Sequence, residues 1–350
     1  MHQNRYILDA KIISALFLMM YGIVPLLLDV FGIYKVHWAE TNLYFSLVAI
    51  LFITTVRPQR RFVNLKQFYP KIDLQRWHYI TFFFVSLSMF LLFPWHDDRV
   101  SLGASFSALM RAVWLVVIFK SIDRSESFRS FLLGMTVLLM FVDESRTYFM
   151  IMLMILASRS KYRTIYFSLS ITGVIFLAAT RMNVSGSILN GLLYGIIGEA
   201  YNATKPVGQI LLIENEKVDV IRHVLHTFLQ PFVFPFEFVL NRIVGSSIPS
   251  QFSYFETAVA QTLSQQLSPM GGWYIVADFV YYGAFGLVLM FIYLRLSWWI
   301  TNYLLSTPNF PFGAFVFFIS IKATPYVYYK FVFYIVIVKI LVSLVTRFKV

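Results

Sequence analysis

Apolar runs too long for a buried strand or an ordinary core helix recur along the whole chain. A helix rises about 1.5 Å per residue, so about 20 apolar residues are needed to cross a hydrocarbon layer ~30 Å thick. Continuous stretches approaching that length lie near Lys11 to Tyr34, Thr41 to Val56, His78 to Trp95, Ser105 to Ile122, Ser130 to Val142, Thr147 to Ser158, Thr164 to Thr180, Gly272 to Leu296, Phe310 to Ala323 and Lys330 to Thr346. Composition agrees: 59% of the 350 residues are hydrophobic and 13% charged, against about 25% charged in soluble domains. The expected fold is an all-α polytopic membrane protein of about ten transmembrane helices. The first run follows Arg5 and Lys11 but no small-residue cleavage site succeeds it, so it reads as a retained helix.

Net charge is +12, an excess that in a soluble protein suggests nucleic acid. Here the basic residues fall between apolar runs, where they set orientation, and no nucleic-acid partner is expected. Assigned to alternate sides, 18 of the 29 Lys and Arg residues share the side of Arg5, the Arg57–Arg76 loop and Arg347, 10 lie opposite, and Arg111 is within a run. The richer side is therefore cytoplasmic, with both chain ends on it. This divides the chain into N-terminal spans over 1–180, one large outer loop over 181–271 and C-terminal spans over 272–350. Within the loop, Val218, Ile221, Leu225 and Phe228 share one arc of a helical wheel while Arg222, His223 and His226 share the other, as in a surface-lying amphipathic helix. The absence of cysteine excludes disulfides and thiolate chemistry.

Chemistry in such a chain is carried by ionisable groups in or beside the membrane. A charge near the bilayer centre costs at least about 2.5–3.5 kcal/mol, so it needs a partner or a polar cavity. Arg111 sits about two turns into the fourth run, where it either pairs with an acid such as Asp278 or binds an anion. The cluster Asp143-Glu144-Ser145-Arg146-Thr147 is flanked by apolar runs of about a dozen residues, under ~20 Å each. That cluster is a turn dipping below the outer surface, or a plain hairpin among headgroups. Arg181 ends the seventh run, and Lys322 and Lys330 bracket an expected outer turn, Ala323 to Tyr329. Individually such cations are often interfacial anchors. Together Arg111, Arg146, Arg181, Lys322 and Lys330 form a candidate basket for a phosphate or pyrophosphate ester, with Arg supplying bidentate donors and Lys point charges.

No Walker A loop, GxGxxG, HExxH or GxSxG is present, and His223 and His226 lack the further ligands of a metal site. Neither metal nor cofactor is expected. Candidate acids and bases of the outer face include Glu199, which ends an apolar stretch, His223, and Glu256, which follows Phe252, Tyr254 and Phe255, rings able to stack on sugars; Glu214, Glu216, Asp219, His226, Glu237 and Asp278 complete the set.

The ten runs, the late outer loop, the hairpin with Ser145-Arg146-Thr147, Arg181 at the start of the loop with Gly191 beyond it, and Ser268-Pro269-Met270-Gly271-Gly272, Asp278 and Tyr281-Tyr282-Gly283-Ala284-Phe285-Gly286 entering the next span resemble the Wzy-type O-antigen polymerases. These are relatives of the O-antigen ligases in the GT-C class of membrane glycosyltransferases, and the resemblance in layout covers most of the chain. It implies an inner-membrane enzyme with a periplasmic site. That enzyme transfers a growing glycan from one undecaprenyl-pyrophosphate carrier to a repeat unit on another, without nucleotide sugar or cofactor. It also implies membrane lipids, lipid-linked glycans and a chain-length regulator protein as partners. On that basis Arg146 and Arg181 bind the pyrophosphate with help from Arg111, Lys322 and Lys330, Asp278 is a further substrate-binding residue, and Glu199, His223 or Glu256 activates the acceptor hydroxyl. A ligase acting on a lipid core shares the layout. A flippase or transporter needs polar groups through both leaflets, and a nonenzymatic assembly partner has no use for a buried Arg111.

Overall fold

A computed structural model of the chain describes residues 2–33, 35, 38–55, 76–92, 114, 125–143, 161, 164–165, 168, 172, 207–208, 210–211, 221, 228, 274–304, 310–323 and 325–347. Among them every regular element is helical: α1 (His2–Val30), α2 (Ala39–Thr55), α3 (Arg76–Leu92), α4 (Glu126–Asp143), α5 (Ile275–Phe279), a 3-10 turn (Val280–Tyr282), α6 (Gly283–Leu304), α7 (Phe310–Lys322) and α8 (Pro325–Arg347). The all-α expectation holds for these residues, and each apolar run that falls on them is a helix. Among the described residues, Ile275–Thr301, 27 residues long, is the one helical stretch long and apolar enough to cross a membrane.

Two compact units are present, each discontinuous in sequence: Met1–Phe62 with Ile196–Phe333, and Val63–Gly195 with Tyr334–Val350. In the first unit α1 and α2 run antiparallel. Lys11 at one end donates to the Thr54 carbonyl (3.0 Å) in the last turn of α2, and at the other end Leu28 packs on Ala39. Their approach is close because both surfaces carry small side chains. A Cβ on Gly22 would stand 3.0 Å from Ser46 Cβ and 3.1 Å from Leu43 Cδ1, the small-residue packing that lets apolar helices meet. The end of α1 follows from Gly32, whose φ of +65° only glycine adopts cheaply. Ile33 N–H then reaches the Leu28 carbonyl (2.9 Å) and Gly32 N–H that of Asp29 (3.0 Å), a Schellman closure.

α7 lies parallel to α1, with Phe17 against Phe318 at 5.2 Å between ring centroids. α6 lies parallel to α2, with Phe52 against Phe291 at 4.9 Å, and antiparallel to α7 through Trp298 and Phe317 at 4.9 Å. Between α5 and α6 the helix breaks. Gly283 takes φ +53°, and Gly286 has no room for a side chain, since a Cβ there would overlap the Phe279 carbonyl oxygen. The two glycines of the Tyr281–Gly286 segment thus have separate causes, a positive φ at Gly283 and a tight backbone approach at Gly286.

In the second unit α3 and α4 start side by side, with Tyr79 on Phe128 at 4.8 Å. Trp114, buried at 2% exposure, stacks beside Phe83 at 6.3 Å and donates from Nε1 to Thr136 Oγ1 (3.1 Å) on α4.

Two expectations change at their edges. The Ser130–Val142 run becomes an 18-residue helix, about 27 Å long rather than under 20 Å. It gains a polar first turn in which Glu126 suits the positive end of the helix dipole. The turn placed at Ala323–Tyr329 is shorter, because α8 already begins at Pro325, whose fixed φ and missing N–H suit a first helical position. Gly286→Ala is expected to destabilise the protein by about 1–3 kcal/mol. Gly134→Ala, on α4 where an added Cβ meets nothing within 4 Å, stays within about 1 kcal/mol of neutral; thermal unfolding in detergent measures both.

Candidate functional site

α1 contains Pro25. Proline has no N–H, so the carbonyl four residues earlier, that of Tyr21, loses its helical partner. In an apolar interior such a group needs another donor. Asn42, fully buried in the first turn of α2, supplies it: Nδ2 donates to the Tyr21 carbonyl at 2.8 Å. The other half of the same amide accepts from the Tyr274 hydroxyl, and Tyr274 is itself fully buried at the entry to α5. One side-chain amide therefore joins α1, α2 and the start of the broken helix, with both of its ends used.

The Tyr21 side chain faces the other way, toward the end of α7. Its ring lies 4.1 Å from that of Phe17 and 5.4 Å from that of Tyr274. Lys322, in the last turn of α7, donates from Nζ to the Tyr21 hydroxyl at 3.3 Å. The same ammonium stands 5.2 Å from the Phe17 ring centroid and 5.6 Å from that of Tyr21, within range of cation–π attraction. Lys322 is half-buried, and it complements the negative end of the α7 dipole. Asp278, a turn beyond Tyr274 on α5, is fully buried and close enough for its charge to act on Tyr293.

Beside this cluster α6 carries buried polar groups at every fourth residue, Tyr293, Ser297 and Thr301. They form a clasp to the neighbouring helices. Tyr293 donates to the Ser320 carbonyl (3.2 Å), and Tyr328 donates to the Ser297 carbonyl (2.9 Å) with Thr301 Oγ1 3.0 Å away. Hydrogen bonds of this kind tie neighbouring helices together.

Of the residues singled out from the sequence, Asp278 and Lys322 are both in the first unit, Asp278 one turn beyond Tyr274 on α5 and Lys322 on the Tyr21 hydroxyl. Lys330 is carried by the second turn of α8. Arg111, Arg146, Arg181, Glu199, His223 and Glu256 lie outside the described residues, although Trp114, three residues from Arg111, is seated as above. In the amphipathic segment Ile221 is helical and 73% exposed, while Phe228 is helical and half-buried. Tyr21, Asn42 and Tyr274 went unremarked in the sequence. Their signal was a proline inside an apolar run with an asparagine at the start of the next. Comparison with protein-family models, with curated proteins and with solved structures finds no match for the chain.

Asn42→Ala leaves a buried carbonyl unmet and takes one partner from the buried Tyr274 hydroxyl, which also has Ser46, and is expected to cost about 1–3 kcal/mol. In a Pro25→Ala background, where residue 25 regains an N–H for the Tyr21 carbonyl, the same change costs less. Equal costs in the two backgrounds, measured by thermal or denaturant unfolding, would show that the proline does not create the need for Asn42.

Proposed function

We propose that the chain is a ten-span membrane glycosyltransferase of the O-antigen polymerase type, joining undecaprenyl-pyrophosphate-linked repeat units at the periplasmic face of the bacterial inner membrane. The observation that carries the reading is the half-buried ammonium of Lys322 at the end of a truncated helix, beside a broken helix with a buried acid. α7 has 13 residues and is about 20 Å long, so a helix of that length starting at the inner boundary ends beneath the outer one. Cations at that depth are costly unless a counter-charge visits or resides there. Irregular backbone such as the α5–α6 break is tolerated at membrane depth where protein or a cavity surrounds it.

The directions of packed helices support the crossing count. Counting the apolar runs in order, α1 and α7 carry the first and ninth and run parallel, as do α3 and α4 with the third and fifth, and α2 and α6 with the second and eighth. Antiparallel neighbours pair odd with even. Contacts between ends fit the charge assignment as well. Lys11 meets the end of α2 and feels the charge of Arg295, and Lys161 N–H donates to Glu126 Oε1 (2.9 Å). Each pairing joins segments given to the cytoplasmic side. An amphipathic helix in the outer loop with Ile221 exposed is suited to lie on lipid.

In this reading Arg146 and Arg181, with Arg111, Lys322 and Lys330, hold the departing pyrophosphate where negative charge develops. An acid or imidazole among Glu199, His223 and Glu256 takes the proton of the acceptor hydroxyl as it attacks the anomeric carbon of the donor glycan. The bond from that carbon to the pyrophosphate oxygen breaks, leaving the carrier diphosphate. Purified protein reconstituted with lipid-linked repeat units alone is expected to lengthen glycan without nucleotide or ion gradient. Arg146→Gln and Arg181→Gln each lower that rate by about 100-fold or more. Unchanged polymer length and yield in either variant would remove it from the site. Glycan delivered to a lipid core acceptor instead of to another repeat unit makes the protein a ligase.

A further inference from the structure

We infer that Lys11 of α1 and Arg295 of α6 together bind the phosphate of an anionic phospholipid, at the end of the first unit where α2 stops. The inference lies apart from the pyrophosphate site and asks only that α6 stand in a bilayer. Both cations converge on the last turn of α2. Lys11 Nζ donates to the Thr54 carbonyl at 3.0 Å. Phe52, in the same turn, meets the Phe291 ring at 4.9 Å between centroids. The Arg295 guanidinium lies over that Phe291 ring, 5.2 Å from its centroid. The two charges are near enough to repel each other.

Like charges held together, one of them half-buried, cost free energy that an anion beside them recovers. Among the described side chains, the acids of this unit are Asp29 at the end of α1, Glu40 in the first turn of α2 and Asp278 on α5. All three stand toward the opposite end of the helices; Glu40 is about 21 Å from Thr54 along α2. The sequence that follows α2 has the same sign as the pair, with Arg57, Arg60 and Arg61 ahead of its first acid, Asp73. Basic clusters of this kind at a helix end suit anionic headgroups. The contacts of Lys11 and Arg295 among the described residues are with a carbonyl, a ring and each other. An ammonium with one N–H on a carbonyl keeps two for a ligand, and a guanidinium seated on a ring keeps its N–H edge for an oxyanion.

The face of α6 that carries Arg295 says which source of phosphate fits. Phe285, Val288 and Ile292 lead up to Arg295 along that exposed face, and exposed Trp299 follows one turn beyond. A headgroup held at Arg295 lays its acyl chains along the apolar stripe, with the indole at the level where membrane tryptophans sit. Free phosphate gains nothing from the stripe. A zwitterionic headgroup brings its own ammonium to a place that already has two cations, so the preferred lipid has a net negative headgroup.

The test uses the full-length protein in nanodiscs of phosphatidylcholine and phosphatidylglycerol, with one of the two lipids at a time brominated on its chains. Bromine quenches nearby indoles, and the part of the emission that Trp299→Phe removes reports the lipid beside Arg295. Phosphatidylglycerol is expected to be enriched there at least about fivefold over its bulk share. Arg295→Gln, a change to an exposed side chain, lowers the enrichment about fivefold, the scale of one cation at an anionic surface. Lys11→Met lowers it as much, and Arg295→Gln alone decides the matter if the loss of the Lys11 bond to α2 prevents folding. Added sodium chloride weakens the preference. Equal quenching by the two lipids in the wild type, or enrichment that survives in Arg295→Gln, overturns the inference and leaves the glycan-joining reading standing. Quenching by neither lipid takes α6 out of the bilayer and overturns both. Inorganic phosphate that abolishes the preference where sodium chloride of equal ionic strength does not would overturn the choice of a lipid as the ligand.

Discussion

Pro25 leaves a carbonyl without a donor in the middle of an apolar helix, and the packing of the first unit is organised around repairing that loss. A fully buried asparagine must come within 2.8 Å of Tyr21, which requires α1 and α2 to be close, and Gly22 against Ser46 allows it. Once the amide is committed there, its oxygen can be satisfied only by a donor brought from elsewhere, and Tyr274 brings it. The position of the broken helix thus follows from a defect in α1 some 250 residues away in the chain. In water the same defect would have been solvated cheaply; among apolar helices it is a constraint on tertiary structure.

The glycine-rich segment entering α6 and the short α7 are two further departures from long regular helices, and both are adjacent to the cluster that Asn42 ties together. Gly283 and Gly286 permit a break that any larger residue would strain or block. α7 stops at Lys322 and the chain turns at once into Pro325. These irregularities leave Asp278 and Lys322 among aromatic and polar side chains rather than on a smooth apolar surface. Regular helices on either side, clasped through Tyr293, Ser297, Thr301 and Tyr328, give the irregular part something rigid to stand on.

Much of this was legible in the order of residues. The apolar runs at the start and end of the chain and on both sides of the Arg57–Arg76 loop are helices, with ends displaced by a few residues where polar first turns or a proline extend them. The stretch Tyr281–Gly286 stood out for its glycines, and the reason is the overlap an added Cβ would suffer with the Phe279 carbonyl. Asp278 drew attention as a pair for Arg111 and Lys322 as a cation beside an expected outer turn, and one is buried and the other half-buried. Tyr21, Asn42 and Tyr274 did not, because an uncharged residue in an apolar run carries no mark of the partner it will meet.

Hydropathy, charge alternation and the placement of glycine and proline along the chain were enough to locate helices, but the break before α6 falls inside a run, Gly272 to Leu296, that reads as one span. Those properties are local, and a helix satisfies its own backbone from neighbours four residues away. Which polar side chains meet was settled by folding alone. Asn42 and Tyr274 are 232 residues apart, and Tyr21 and Lys322 are 301 apart. Their meeting depends on helix directions, crossing distances and the one carbonyl that Pro25 leaves unmet.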